Sequence, residues 1–362
     1  MRNPWPWKLE LRGTPSRPMT YLSPVIAVVL TMLLGALLFM ALGKDPLAGL
    51  KVFLIDPFNG KRAISELLLK SVPLILCALG LAVCFRANIW NIGAEGQFTV
   101  GALFAGATLV AIDVPGHAIP GGLGLLLMIV AGILGGAFWA SITAVLRDRF
   151  NANEILVSLM LTYVAQLLLM YAVNGPLKDP NGMNFPQSKV FSSEFMLPEL
   201  ISGTRLHIGF AVTLVLAIVM TVFMTRSFRG FSLIVGGTAP HAARYAGFSS
   251  RSALWISLLI SGSFAGLAGA FEIAGPIGQL LPSVSPGYGF AAIIVAFIGR
   301  LHPVGAVLGG LVMSLLYLGG ELAQSRLGLP SAITGVFQGM LLFLLLASDT
   351  LIDYRLRWKA KV

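Results

Sequence analysis

Long apolar segments separated by short polar ones recur along this chain from about residue 24 to residue 348. Most of them approach the roughly 20 residues that a helix needs to cross a hydrocarbon layer of about 30 Å. Because backbone polar groups find no partners in lipid, such segments form helices rather than open strands. The pattern therefore predicts an all-α polytopic membrane protein with about ten transmembrane helices. The predicted segments are 23–42, 63–85, 88–112, 119–146, 154–173, 207–225, 253–274, 303–320 and 331–346, with a short one at 290–298.

The apolar segments follow one another without a long polar interval, which predicts a single transmembrane domain over residues 23–348. An N-terminal segment, 1–22, precedes it and a basic tail, 349–362, follows it. Lys and Arg are about twice as frequent on the side of both termini, so the positive-inside rule places both termini in the cytoplasm. The segment 290–298 is too short to span untilted, and we expect a half-helix there.

Composition supports the membrane class and excludes several others. The chain has 56% hydrophobic and 11% charged residues, whereas globular proteins have about 25% charged residues. The net charge of +10 is dispersed between apolar segments, which argues against nucleic-acid binding. A phosphate-binding loop, a dinucleotide-binding glycine motif and a His-Glu-x-x-His motif are all absent from the sequence. We therefore predict no catalytic residue, metal site or cofactor, and no ATP hydrolysis by this chain.

One stretch, FRANIWNIGAEGQ at 85–97, carries polar residues between two apolar segments. Polar side chains at membrane depth are costly unless they are paired or face water, so they suggest a functional site. On a continuous helix, Asn91 and Glu95 would share one face and Gln97 would be rotated away. These residues either line a solute path or form a hydrogen-bond network that locks helices together. Trp90 offers an aromatic surface for a solute, or else faces lipid.

A second stretch, GGTAPHAARYAGF at 236–248, lies in a polar interval on the predicted cytoplasmic side. Ala242, Ala243 and Arg244 favour a helix, and Gly247 stands where such a helix would stop. One interpretation is a short helix parallel to the membrane that docks on a cytoplasmic partner. The other is an ordinary loop with one helical turn.

These stretches resemble a known family. FRANIWNIGAEGQ, GTAPHAARYAGF followed by SGSFAGLAGAFEIAG, and PGYGFAAIIVAFIGRLHPVGAVLGG are similar to permease subunits of bacterial ATP-binding-cassette (ABC) importers for simple sugars, nucleosides and branched-chain amino acids. The resemblance extends over roughly residues 20–355, and its NIGAEGQ form is most similar to nucleoside permeases. It implies an inner-membrane location and three partners. These are a second permease, often a paralogue, a cytoplasmic ATPase that binds ATP, and a periplasmic or lipoprotein substrate-binding protein.

The resemblance also implies residue roles. It identifies 237–247 as the coupling helix that contacts the ATPase, with Ala242, Ala243, Arg244 and Gly247 as coupling residues. That four residues line the solute path remains a hypothesis: Asn91, Glu95, Gln97 and Trp90. Two alternatives to a nucleoside permease remain. One is a ribose-type sugar permease of the same family, and the other is an ion-coupled secondary transporter with Glu95 as the ion site.

Overall fold

The computed structural model describes residues 7–14, 16–113 and 119–358, and its regular structure is almost entirely helical. A strand at each end, β1 (Trp7–Leu11) and β2 (Tyr354–Trp358), flanks the helices. The helices in chain order are α1 (Arg17–Ala41), α2 (Pro46–Leu54), α3 (Lys61–Arg86), α4 (Ala94–Ile112), α5 (Gly121–Phe150), α6 (Glu154–Asn174), α7 (Gly209–Arg226), α8 (Phe228–Thr238), α9 (Pro240–Tyr245), α10 (Ser250–Glu272), α11 (Tyr288–Ile298), α12 (Pro303–Leu327) and α13 (Ala332–Asp353). The all-α prediction is confirmed.

Within the described part of the chain, nine helices are long and apolar enough to cross a membrane. These are α1, α3, α4, α5, α6, α7, α10, α12 and α13. The tenth predicted segment is α11, which has only 11 residues, so it is a short helix as expected. Helix α10 continues into one π-helical turn at Ile273–Ile277, which extends this span beyond its last regular turn.

The structure divides into two units. The central unit runs from Gly60 to Ser314, and the terminal unit contains the residues before and after it. In the central unit α3 packs against α7, α10 and α11, and α4 packs against α5, α6 and α10. Every residue of α3 from Ser71 to Phe85 is buried. A helix that is apolar on all sides belongs in the interior of a bundle, so α3 forms part of the core.

In the terminal unit α1 packs along α13. The rings of Phe39, Phe53 and Phe337 cluster there, with 4.3 Å between the centroids of Phe53 and Phe337. Strand β1 pairs antiparallel with β2. The predicted tail 349–362 thus begins inside α13 and includes β2, while residues 359–362 lie outside the described part. The predicted segment 1–22 likewise includes the start of α1, and its first six residues are outside that part.

Several predicted ends differ from the structure: α12 and α13, for example, run to Leu327 and Asp353 rather than to 320 and 346. Two further differences have a local cause. Helix α4 begins at Ala94 and not near Asn88, because Asn88 has a positive φ of 56° that ends α3. The polar interval 226–251 contains a whole further helix, α8, before the short helix α9. The Ser227 side chain starts α8 by accepting a hydrogen bond from the Gly230 N–H at 2.9 Å. Both differences arise from capping contacts, which hydropathy does not detect.

Candidate functional site

The polar run between α3 and α4 begins with a tight helix ending. The Ile89 N–H donates to the Cys84 carbonyl at 2.9 Å, and Asn88 has the left-handed conformation that commonly follows a helix. Trp90 lies just beyond this ending and is 39% exposed. Its ring stacks on Phe297 with a centroid distance of 6.2 Å and packs at a tilt against Phe85 at 5.2 Å. Trp90 therefore lies at the surface of this chain, next to the buried polar residues rather than among them.

Asn91 and Gln97 form a closed amide pair in the interior. The Asn91 Nδ2 donates to Gln97 Oε1 at 2.9 Å, and the Gln97 Nε2 donates back to Asn91 Oδ1 at 3.0 Å. Asn91 also donates to the Ser261 hydroxyl on α10 at 3.0 Å. Both amides are at most 1% exposed. The prediction that Gln97 is rotated away from Asn91 was wrong, because Asn91 lies before α4 and folds back along its first turn.

Glu95 joins α4 to the short helix α11. Its carboxylate accepts a hydrogen bond from the Gly289 N–H at 2.7 Å, and the residue is 3% exposed. The backbones also approach closely here. A Cβ atom on Gly289 would lie 2.3 Å from the Glu95 nitrogen. A carboxylate at the start of a helix satisfies free N–H groups and is favoured by the helix dipole. Glu95 therefore holds the N-terminal turn of α11 against α4.

The two glycines of the run pack on a third helix, α6. A Cβ atom on Gly93 would lie 2.7 Å from the Ser158 carbonyl oxygen, and one on Gly96 would lie 2.7 Å from the Thr162 Cα. The Ser158 hydroxyl accepts a hydrogen bond from the Ile92 N–H at 3.1 Å. The run thus joins α4 to α6, α10 and α11. We call this arrangement of Asn91, Gly93, Glu95, Gly96 and Gln97 the polar junction.

The second predicted site is formed by α8 and α9. Of the predicted coupling residues, Ala242 and Arg244 are exposed, and Ala243 is only 4% exposed. The neighbouring Tyr245 is 98% exposed. One face of the six-residue helix α9 therefore packs on the protein, and its other side chains are free to contact a partner.

Gly247 ends α9 in a left-handed conformation with φ of 81°. The Phe248 N–H donates to the Ala243 carbonyl at 2.9 Å, and the Gly247 N–H donates to the Arg244 carbonyl at 3.0 Å. This pattern is a Schellman ending, in which glycine avoids backbone strain. Phe248 then packs edge-on against Phe228 of α8, with a centroid distance of 5.6 Å. The ending fixes the orientation of α9 relative to α8.

A cleft of about 640 Å³ lies beside α9. Its charged lining residues include two ion pairs, Arg251 to Asp148 at 2.8 Å and Arg147 to Glu154 at 3.4 Å. Asp148 also accepts a hydrogen bond from the Trp255 indole at 3.1 Å. The sequence alone does not indicate that Asp148 and Arg251 form a pair. Their pairing depends on the approach of α5 to α10, which no local pattern reveals.

Comparisons with known proteins agree with this architecture. A family model described as the permease component of branched-chain amino acid transport systems matches residues 63–346. The chain is 35% identical over 358 residues to a glucose ABC transporter permease protein of Haloferax volcanii, covering 96% of this chain and 93% of that protein. It is 31% identical over 330 residues to a guanosine ABC transporter permease protein of Bacillus subtilis, covering 90% and 93%. It is 28% identical over 330 residues to a nucleoside ABC transporter permease protein of Lactococcus lactis, covering 89% of each.

Proposed function

Because this chain belongs to the family described as the permease component of branched-chain amino acid transport systems, we propose that it carries nucleosides across the inner membrane as the permease of an ABC importer. The match over residues 63–346 makes the chain a multi-pass transport subunit of this class. The relative from B. subtilis, which is named for guanosine and is 31% identical over 90% of this chain, supports the nucleoside assignment most directly. The L. lactis relative named for nucleosides supports it further.

A monosaccharide is the second candidate solute. The H. volcanii relative is named for glucose and is 35% identical over 96% of this chain. A nucleoside and a monosaccharide share a sugar ring with several hydroxyl groups. The two candidates therefore differ in whether a nucleobase is also required, and that difference can be measured.

The proposed importer contains three kinds of partner. A second permease, identical or paralogous, completes the membrane path, and a substrate-binding protein delivers solute from outside. A separate ATPase binds ATP and docks on α9 from the cytoplasm, where Ala242, Arg244 and the ending at Gly247 are exposed. In this orientation both termini are cytoplasmic.

The ATPase can drive transport only if it binds the inward-open and outward-open permease with different affinity. Closure of the ATPase pair on ATP would move α9, and α9 would carry that movement into the helices by rigid-body rocking. The contacts of Phe248 with Phe228 and Phe231 support this role, because they attach α9 to α8. Within the permease, Asn91, Glu95 and Gln97 hold the junction around which the helices move, and Trp90 lies beside it.

The test is uptake of radiolabelled guanosine, ribose and glucose by cells that lack this permease. Uptake is compared after restoring the permease with its cognate ATPase and binding protein, and after restoring it with an ATPase whose ATP-binding lysine is replaced. We expect guanosine uptake only with the intact ATPase.

Any other result would contradict either the proposed solute or the proposed energy source. Uptake of glucose or ribose without guanosine would retain the importer and replace its solute. Uptake that persists without ATPase activity but is abolished by an uncoupler would favour an ion-coupled transporter, with Glu95 as the first residue to test.

A further inference from the structure

One amide side chain is exposed near the middle of a membrane span. Gln166 lies on α6, which runs from Glu154 to Asn174, and it is exposed on the surface of the chain. With a rise of about 1.5 Å per residue, Gln166 is about 18 Å from the first residue of this helix and about 12 Å from the last. It therefore lies deep in a hydrocarbon layer of about 30 Å, away from both polar interfaces.

The Gln166 amide forms no hydrogen bond with any residue that the structure describes. Two threonines of the spans, in contrast, are satisfied within their own helices: Thr108 donates to the Phe104 carbonyl and Thr162 donates to the Ser158 carbonyl. Lipid offers an amide no hydrogen-bond partner, and leaving the amide unpaired there is costly. In the assembled importer, this face of α6 therefore contacts a molecule other than lipid.

Gln166 lies in a row with Tyr163, one turn before it, and Met170, one turn after it. Side chains three or four positions apart are neighbours on a helix surface, and Tyr163 and Met170 are 55% and 50% exposed. The Tyr163 hydroxyl also forms no hydrogen bond within the described part of the chain. We call Tyr163, Gln166 and Met170 the α6 row. The row presents an aromatic ring, an amide and a thioether side by side.

The α6 row differs from the surfaces through which helices of this chain pack closely. Helices α5 and α10 meet through glycines such as Gly136 and Gly262, whose small size lets the backbones approach. The row consists of three long side chains, which keep a neighbouring helix at a distance and leave space beside the amide. A face of this kind therefore suits a small planar molecule better than a second helix.

The chemistry of the row matches a nucleobase. An aromatic ring stacks on the face of a base, and an amide both donates and accepts, as the adjacent N1–H and O6 groups of guanine require. We propose that Tyr163 and Gln166 contact the nucleobase of the solute during transport, with Tyr163 stacking on the base and Gln166 binding its edge. The inference rests on the proposed function and names the residues that distinguish a nucleoside from a monosaccharide, which has no base.

The experiment uses the complete importer reconstituted in proteoliposomes with its binding protein outside and ATP inside. Maximal uptake rates are measured for guanosine and for 1-methylguanosine, which lacks the N1–H donor. Gln166→Leu removes the amide at similar volume, Tyr163→Leu removes the ring, and Tyr163→Phe keeps the ring. Leu168→Met is the matched control, because Leu168 lies on the same helix outside the row and is 39% exposed. The binding protein is the same throughout, so any change in solute preference between variants arises in the permease.

We expect Gln166→Leu to lower the guanosine rate about tenfold, and to lose the preference for guanosine over 1-methylguanosine, because hydrogen bonding to the base edge is lost. Tyr163→Leu should slow both solutes, whereas Tyr163→Phe and Leu168→Met should behave like the wild type. Photolabelling with 8-azidoguanosine should mark residues 163–170 of the wild type, and it should mark them much less in Gln166→Leu.

Three results would overturn the inference, and they differ in what they leave of the proposed function. If the wild type transports guanosine, Gln166→Leu and Tyr163→Leu keep its rate and preference, and the label lies elsewhere, the row does not contact the solute and the proposed function stands. If Gln166→Leu instead lowers the amount of second permease that co-purifies, without changing the preference, the row is a contact between permeases. If the wild type transports glucose but not guanosine, the nucleoside assignment fails and this inference fails with it.

Discussion

Single polar residues at the start of α4 and just before it are bonded to partners far away in the chain. Asn91 donates to Ser261 on α10, and Glu95 accepts from Gly289 at the start of α11. In an apolar interior each such bond is stronger than in water, and leaving either partner unpaired is costly. The polar residues near α4 therefore determine which helices meet at the polar junction.

Replacement of Glu95 tests this at one residue. Glu95→Gln keeps the volume but replaces one of the two acceptor oxygens with an NH₂ group, so the side chain accepts fewer hydrogen bonds from the donors around it, the Gly289 N–H among them. We expect a free energy of unfolding lower by about 1 kcal/mol, the net value of one hydrogen bond, and reduced transport by importers that still assemble. Thermal unfolding in detergent and uptake measure the two effects, with exposed Glu194→Gln as the control. Unchanged melting and unchanged uptake would show that Glu95 contributes neither to the junction nor to the path.

His207 makes stability depend on pH. It lies before α7, outside the spans, and is 3% exposed. Burial lowers its pKa to about 4, and its Nδ1 accepts a hydrogen bond from the Gly209 N–H at 3.1 Å. The unfolded chain binds a proton near pH 6.5, so stability is full above that pH and falls as pH decreases toward 4. The expected loss over this window is about 3 kcal/mol.

The comparison that isolates this histidine is unfolding at pH 7 and pH 5 in the wild type and in His207→Asn. The asparagine Oδ1 takes the position of the histidine Nδ1 and can accept the same backbone hydrogen bond, but asparagine does not titrate. We expect a smaller loss of stability in the variant between the two pH values. The same loss in both proteins would assign the pH dependence to other groups.

The sequence identified Asn91, Glu95 and Gln97 because polar residues in an apolar stretch require an explanation. It did not identify how they are satisfied, since Ser261 lies 170 positions from Asn91. It also placed Gln97 on the wrong side of the helix. That error came from extending α4 back to Asn88, which has a left-handed conformation. The local sequence pattern therefore predicted which polar side chains matter. It could not predict their hydrogen-bond partners, because those depend on which helices pack together.

At the scale of elements, α5 and α10 meet through glycines. A Cβ atom on Gly266 would lie 2.1 Å from the Gly132 carbonyl oxygen and 3.0 Å from the Gly136 Cα, and Gly262 approaches Gly136 as closely. The four-residue spacing of these glycines is typical of closely packed membrane helices. Without a hydrophobic driving force between helices in lipid, this backbone contact provides dispersion energy that larger side chains would prevent.

Two alanine substitutions test the contact between these helices. Gly266→Ala places a methyl group against backbone atoms of α5 that cannot move aside, so we expect a loss of stability of about 1–3 kcal/mol. Gly122→Ala is the matched control, because Gly122 lies on α5 with no atom within 4 Å of the added methyl group. Thermal unfolding of both variants gives the comparison. If Gly266→Ala and Gly122→Ala melted at the same temperature, the added methyl group between α5 and α10 would cost no stability, and the close glycine contact would not contribute to the fold.

Apolar length predicted nearly every span, because each membrane helix must satisfy its backbone internally. The hydropathy pattern did not predict where some helices begin or change their geometry, and the reason is different. Helix α8 starts at a Ser227 cap, and the π-helical turn Ile273–Ile277 follows an ordinary helical pattern. Both are decided by a few local hydrogen bonds, which change apolar periodicity very little.

At the scale of the whole molecule, the predicted coupling segment is connected to the polar junction. Phe248 attaches the end of α9 to α8, and a Cβ atom on Gly237, near the end of α8, would lie 2.1 Å from the Arg86 carbonyl oxygen. Arg86 is the last residue of α3, directly before the turn that leads to Asn91. A displacement of α9 can therefore reach the polar junction through packed backbone atoms, which is the physical connection that transport by an ABC importer requires.

Substitutions at Gly247, where α9 ends, test that connection in the assembled importer. Gly247→Trp forces a non-glycine residue into the left-handed conformation, at a cost of about 1–2 kcal/mol, and directs a large ring into open space where the ATPase would dock. We expect ATPase binding about tenfold weaker, with uptake reduced in proportion. Gly247→Asn is the control, because asparagine tolerates this conformation and should retain most of both activities. Affinity for the ATPase and uptake are measured on the same preparations, and equal ATPase affinity in the Trp variant and the wild type would remove α9 from the docking surface.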